Sequence, residues 1–401
     1  WERTEDVRFL TVLVVTLALF LSFAWRGSVP WSYLSRTYAT ILVYAIFTLG
    51  LSLQFAYCGL INFGHVASMA LGAYALSLVT GQLPNPEEVT WLLSVLVGLV
   101  GWATLSMALW ERLDWHKGLR ALAMLAALVP VTWLFGNIWT LVLGVTSPNY
   151  VGGILTGLIL AVGWSYLIGI PTLRLRDDYL AIVTIAAAEI LRIIIRNEDT
   201  WTRGSAGILS IPFPLTWLRD LVDPIIRGAG VNVSVVLAAL LAIALVGWLL
   251  NRLVKSPWGR LIKAVGDDED AAEGIGAPVV SLKMQVLALG SAVAAISGVM
   301  LTWQNLAINP ALFKPVPTFY AWAILILGGL GSLRGVVAGS AIFWAIWQAP
   351  RWMDLSTIGL TLGSQRVAAL QIMLVGLLLM IVVVVKPEGL FGSREEMEVM
   401  E

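Results

Sequence analysis

Glu189 and Arg192 stand three residues apart inside the apolar run 179–195, a spacing that brings both side chains to one helical face and lets them pair. By the helical rise Glu189 lies about 15 Å into that run. At such a depth a carboxylate either neutralises its neighbouring arginine or holds a cationic group such as an ammonium. Asn62 and His65, also three apart, share a face of another apolar run if that run is helical there. They either line a polar path or satisfy carbonyls at a break after Gly59. Gln304 and Asn305 close a third run, where they meet a zwitterion or simply end the helix. Cys58 is the single cysteine, cannot form an intramolecular disulfide, and reads as a buried bystander.

A second constellation is charged and lies between two firm apolar runs: Lys255-Ser-Pro-Trp-Gly-Arg-Leu-Ile-Lys-Ala-Val-Gly266-Asp-Asp-Glu-Asp-Ala-Ala-Glu-Gly274-Ile-Gly276. Pro257 and Gly259 interrupt the preceding helix. Asp267, Asp268, Glu269 and Asp270 then head a short run that ends at Gly274 and Gly276. Acids at the start and glycine at the end are the order of a capped surface helix. The sequence shows no Gly-x-x-x-x-Gly-Lys-Ser/Thr phosphate loop, no His-Glu-x-x-His and no Gly-x-Ser-x-Gly, and it has two histidines, His65 and His116. The residues therefore predict no catalytic site, no metal site and no cofactor.

The elements that must carry these residues belong to a membrane. Of 401 residues 59% are hydrophobic and 12% charged, about half the charged share of an average soluble domain. Apolar runs near 8–25, 38–56, 60–80, 90–110, 119–143, 150–170, 179–195, 231–253, 284–303, 319–331, 335–350 and 367–386 predict an all-α polytopic protein of about 10–12 transmembrane or re-entrant helices in one transmembrane domain, 1–401. The runs 319–331 and 335–350 are short and joined by Gly331-Ser-Leu-Arg-Gly335. They predict a helical hairpin or re-entrant pair shielded by other helices. Most of the 25 Lys and Arg fall on one side when 255–282 is placed in the cytoplasm, which puts both termini inside and 197–230 outside. A net charge of zero gives no reason to expect nucleic acid. The 19 tryptophans suit interfacial belts. Gly331, Gly335 and Gly339, and Gly153 with Gly157, mark close helix packing.

Six stretches in order resemble the LivM-type permeases of branched-chain and neutral amino acid ATP-binding-cassette (ABC) importers. They are Gly59-Leu-Ile-Asn-Phe-Gly-His-Val-Ala-Ser-Met-Ala-Leu-Gly-Ala-Tyr74, Leu173-Arg-Leu-Arg-Asp-Asp-Tyr-Leu-Ala-Ile-Val-Thr184, Thr202-Arg-Gly-Ser-Ala-Gly-Ile208, the 256–276 loop, Gly328-Gly-Leu-Gly-Ser-Leu-Arg-Gly335, and Lys386-Pro-Glu-Gly-Leu-Phe-Gly392. Arg203 stands where that family usually has glycine.

The resemblance implies a helix arrangement related to the sugar and cobalamin importers. It assigns ATPase coupling to Asp267, Asp268, Glu269, Asp270, Ala271, Ala272, Glu273, Gly274, Ile275 and Gly276. It makes Asn62, His65, Glu189, Thr202, Gly204, Ser205, Gly207, Gln304 and Asn305 candidates for the substrate path. The implied partners are a second homologous permease, two ATP-binding subunits, a periplasmic substrate-binding protein and the lipid of a bacterial inner membrane, with a neutral or branched-chain amino acid as cargo. Two alternatives stay open: a permease for urea or another small polar solute, and an ion-coupled secondary transporter, for which Glu189 is the best candidate acid.

Overall fold

The computed structural model describes residues 31–81, 86–110, 149–173, 177–225, 228–352, 364–386 and 389–391, with a few isolated positions between them. The runs predicted at 8–25 and 119–143 lie outside the described residues. Among those described, the chain is helical throughout, and its only β pairing is a single bridge between Ile208 and Ile308.

Four helices form the centre. They are α1 (Trp31–Cys58), α2 (His65–Thr80), α4 (Tyr150–Thr172) and α11 (Val279–Asn305), with α3 (Pro86–Trp110) against the outside of α4. Next in chain order, α5 (Asp177–Asn197) and the one-turn α6 (Asp199–Thr202) precede α7 (Thr216–Val222), α8 (Gly230–Val254), α9 (Pro257–Asp267) and α10 (Glu269–Gly274). After α11 come α12 (Val316–Gly328), α13 (Leu333–Trp352) and α14 (Ser364–Val385). Five of these helices, α1, α4, α8, α11 and α14, are long and apolar enough to cross a membrane. The pair α12 and α13 passes the same test jointly but bends by 115° at its break. The short runs 319–331 and 335–350 thus form a broken or re-entrant pair, while α2 and part of α3 are shorter apolar helices.

Helices in lipid gain nothing from burying apolar side chains against one another, so small residues decide where they meet. A Cβ on Gly298 would sit 2.0 Å from Met69 O, and one on Gly72 2.2 Å from Ala295 O, so α11 and α2 cross backbone to backbone. Gly50 of α1 and Gly290 of α11 meet in the same way, each facing the other's carbonyl. The glycines singled out in the sequence pack within the chain: Gly157 against Gly72, and Gly335 and Gly339 against the Gly328 end of α12. Leu390 and Phe391, from the motif at 386–392, close the same corner. The amides of Leu390 and Phe391 donate to Leu327 O and Gly328 O, both at 3.0 Å, and satisfy carbonyls that α12 leaves open at its end.

Candidate functional site: a broken helix with a buried start and a charged hairpin

The sequence run 60–80 is not one helix. Gly59, at φ +68°, ends α1 in the left-handed conformation that costs glycine least, and its N–H bonds back to Phe55 O at 2.9 Å. The chain then runs without helix to Gly64, and α2 begins at His65. His65 Nε2 lies 3.2 Å from Phe47 O. Phe47 precedes the end of α1 by 11 residues, about 16 Å by helical rise. The N-terminus of α2 is therefore set deep in the protein. Backbone of this kind at membrane depth is stable only when protein groups satisfy it.

Here they do. Asn62 Oδ1 accepts from Gly64 N at 2.9 Å, Thr184 Oγ1 of α5 accepts from Phe63 N at 3.2 Å, and Thr318 Oγ1 of α12 accepts from Val66 N at 3.2 Å. Asn62 Nδ2 donates to Gln54 Oε1 at 3.0 Å, and Gln54 Nε2 donates to Leu287 O at 3.0 Å. Asn62 and His65 consequently do not share a helical face: the break separates them. His65 turns into the core against Phe47, with ring centroids 4.8 Å apart. Asn62 faces a recess instead.

That recess is narrow, with room for about one water molecule, and lies between α2, α4, α5 and α11. Its polar lining is Asn62, Ser68, Ser165, Thr184 and Ser291, and Trp164, Ile168 and Leu287 form its apolar wall. No charged side chain lines it. The break admits α5 closely, since a Cβ on Gly64 would fall 2.1 Å from Thr184 O. Ser68, Thr184 and Ser291 were not singled out in the sequence, because isolated hydroxyl residues in apolar helices carry no pattern. Only their convergence marks them.

The other candidate path residues lie elsewhere. Glu189 and Arg192 pair on α5, with Arg192 Nε donating to Glu189 Oε2 at 2.8 Å and Arg192 Nη2 to Glu189 Oε1. Thr202, Gly204, Ser205 and Gly207 form a tight turn beyond α5. Thr202 Oγ1 donates to Ile195 O at 2.7 Å, and Gly207 lies so close to Ile308 O that a Cβ would approach to 2.0 Å. Arg203 itself sits at φ +56°, a left-handed position that explains a preference for glycine there. Gln304 and Asn305 tie α11 to the start of α1. Gln304 Nε2 donates to Thr40 Oγ1 at 2.6 Å and to Arg36 O at 3.0 Å, and Asn305 Oδ1 accepts from Arg36 Nη2 at 2.9 Å. Ser291 and Gln304 are 13 residues apart on α11, about 20 Å by helical rise. The recess and this outer cluster are thus separate.

The charged segment folds as two helices in succession. Ser256 caps α9, its Oγ accepting from Gly259 N at 3.3 Å, and Asp268 caps α10, its Oδ1 accepting from Ala271 N at 2.9 Å. Asp267, Asp268, Glu269, Asp270 and Glu273 are exposed, as are Ala271, Gly274, Ile275 and Gly276, while Ala272 anchors the turn from beneath. Trp258 Nε1 donates to Gln285 Oε1 at 2.8 Å and joins α9 to α11, and further attachments hold this hairpin. Lys283 Nζ pairs with Glu269 Oε2, which fixes α10 to the first turn of α11. Gly266 lies against the end of α1, where a Cβ would come 2.9 Å from Tyr57 O, and Lys263 sits 5.5 Å over the Tyr57 ring.

Comparison with known proteins agrees with this architecture. The family described as "Branched-chain amino acid transport system / permease component" matches residues 33–384. The chain is 31% identical over 203 residues to the high-affinity branched-chain amino acid transport system permease protein LivM of Salmonella typhimurium, covering 47% of this chain and 48% of that protein. A probable LivM of Methanocaldococcus jannaschii is 26% identical over 358 residues, 88% of this chain and 91% of the relative. The fructose import permease protein FrcC of Rhizobium meliloti is 29% identical over 112 residues, 27% of this chain and 30% of that protein. The matches to the two enteric LivM proteins span about half the length of each. No solved structure matches the chain. With most of its length matched and its helices apolar and multiply crossing, this chain is a multi-pass membrane protein that belongs to the branched-chain amino acid transport permease family.

Proposed function

We propose that this protein is one transmembrane subunit of an ABC importer that carries neutral and branched-chain amino acids across a bacterial inner membrane. The observation that carries the reading is the α9–α10 hairpin. It presents an exposed acidic helix yet is fastened to the helices behind it, by Lys283 and Gln285 to α11 and by Gly266 to α1. A lever must be both accessible and rigidly attached, because only a displacement that reaches the membrane helices can change their packing. In this reading 255–282 faces the cytoplasm and the residues from Asp267 to Gly276 dock on an ATPase subunit. The sequence has no phosphate loop of its own, so ATP is bound and hydrolysed by partners. A second homologous permease completes the pathway, and a periplasmic binding protein delivers the amino acid at the outer side, near 197–230. ATP binding then favours one arrangement of the helices over the other through its differential contacts at the hairpin.

The test is a gentle detergent pull-down from the native membrane, followed by reconstitution into proteoliposomes. Co-purification of a second permease and phosphate-loop ATPases, with ATP-dependent uptake of leucine that requires the binding protein, is the expected result. Ion-gradient-driven uptake by the chain alone would assign it to secondary transport, and uptake of urea but no amino acid would reassign the cargo.

A further inference from the structure

One stripe of α8, formed by Leu237, Leu241, Leu245, Trp248 and Arg252, is exposed along its whole length. Spacings of three and four residues place all five side chains on one helical face. The opposite face, with Val235, Ala239, Val246 and Leu250, is buried in the protein. Trp248 follows Gly230, the first residue of α8, by 18 residues. That is about 27 Å of helix, close to the ~30 Å of a hydrocarbon layer. Trp248 therefore stands where lipid tails give way to headgroups, the depth that tryptophan favours, and Arg252 lies one turn further out. The Arg252 guanidinium sits over the Trp248 ring, 5.2 Å from its centroid, which holds the charge at that level.

Two more exposed cations adjoin Arg252. Lys255 ends α8 in a right-handed conformation, φ −81° and ψ −5°, and so stays one turn from Arg252. Gly259 then sets α9 against the end of α8 so tightly that a Cβ would fall 2.0 Å from Val254 O. Arg260, exposed on the first turn of α9, is thereby held beside the same end. Among the described residues none of these three cations is in an ion pair. The acids of the hairpin begin at Asp267, about 10 Å further along α9. The hairpin is thus polarised, with cations at its root and acids at its tip, and the root continues an apolar stripe. A lipid with a negative headgroup matches both features in that order: its acyl chains lie along the leucines and its phosphate meets the cations.

We propose that the root of the α9–α10 hairpin binds the headgroup of an anionic phospholipid, with Arg252, Lys255 and Arg260 around the phosphate and Trp248 at the boundary with the acyl chains. The site requires only that α8 spans the membrane, so it stands whether or not the chain imports amino acids. Binding there ties the root of the hairpin to the lipid surface while its acidic tip remains exposed.

The test uses the full chain in phosphatidylcholine vesicles, with Cys58→Ser as the parent and a fluorophore attached through Leu249→Cys, an exposed position beside Trp248. Brominated phosphatidylglycerol and brominated phosphatidylcholine are added in turn as quenchers. Phosphatidylglycerol is expected to quench at an about tenfold lower mole fraction. The substitutions R252Q/K255Q/R260Q are expected to remove that preference, and about 0.5 M salt to weaken it. Equal quenching by the two lipids in the parent would overturn the site. A preference that the folded triple variant keeps would overturn it too, and loss of a co-purifying protein from that variant would then assign the root to a protein partner. If the triple variant does not fold, the parent decides alone: a preference indifferent to about 0.5 M salt would overturn the site.

Discussion

Asn62 Nδ2 donates to Gln54 Oε1 at 3.0 Å, and this bond closes a polar line that runs from Leu287 O on α11, through Gln54 on α1, to the first turn of α2. The line lies among mostly apolar side chains and joins three chain segments. A buried network is worth having only when each member is satisfied. Replacing Gln54 with Leu leaves Leu287 O and the Asn62 amide without these partners. The expected cost is about 1–3 kcal/mol, read as a lower midpoint of thermal unfolding in detergent. An unchanged midpoint would show that water replaces the amide at no cost.

Removing either member of the Lys283–Glu269 pair should have unequal consequences. Lys283 is 9% exposed at its side chain and Glu269 is 47% exposed. Glu269→Gln leaves a buried ammonium without its carboxylate, whereas Lys283→Met leaves a carboxylate that water already reaches. We expect Glu269→Gln to destabilise more, by about 1–3 kcal/mol rather than the full cost of a deeply buried pair. If the pair also transmits motion, both variants retain ATP hydrolysis while uptake falls. Equal melting of the two variants, with normal uptake, would remove the pair from the coupling scheme.

Arg203 offers a measurement of backbone strain. At φ +56° a non-glycine residue costs about 1–2 kcal/mol relative to a right-handed conformation. Arg203→Gly and Arg203→Val both delete the guanidinium, so their difference isolates the backbone. The glycine variant is expected to be the more stable by about 1–2 kcal/mol. Equal stabilities would mean that the turn at Gly204–Gly207 relaxes around valine.

Glu189 and Arg192 test pairing against contact with cargo. Glu189→Gln strands a mostly buried arginine on α5 and should lower the yield of folded protein, and adding Arg192→Gln should restore it, because removing both charges together costs less than removing one. Restored folding with restored uptake assigns the pair to structure. Restored folding without uptake assigns Glu189 to the path.

The crossing of α11 and α2 sets the tightest packing demand. Gly298→Leu places a side chain where even a Cβ would lie 2.0 Å from Met69 O. Loss of folded protein on size-exclusion chromatography is the expected outcome, with Gly274→Ala, whose Cβ meets nothing within 4 Å, as the tolerated control.

Composition and apolar run length determined the broad architecture, because a chain that is 59% hydrophobic and 12% charged has few options besides spanning lipid as helices. Of the α9–α10 hairpin, α10 was legible for a local reason, since Asp268 and the closing glycines act on backbone within a few residues, whereas α9 was not, because Pro257 and Gly259 read as an interruption although they sit in the first turn of a helix capped by Ser256. The short pair α12 and α13 was legible by length. Asn62 and His65 were not, since continuous helix and broken helix read alike in an apolar run, and the positive φ of Gly59 becomes visible only when Gln54, Thr184 and Thr318 supply the missing bonds from three other helices. The recess was the least legible feature. Ser68, Thr184 and Ser291 are each one hydroxyl in a separate apolar segment, and only tertiary packing, brought close by Gly64, Gly72 and Gly298, turns them into neighbours.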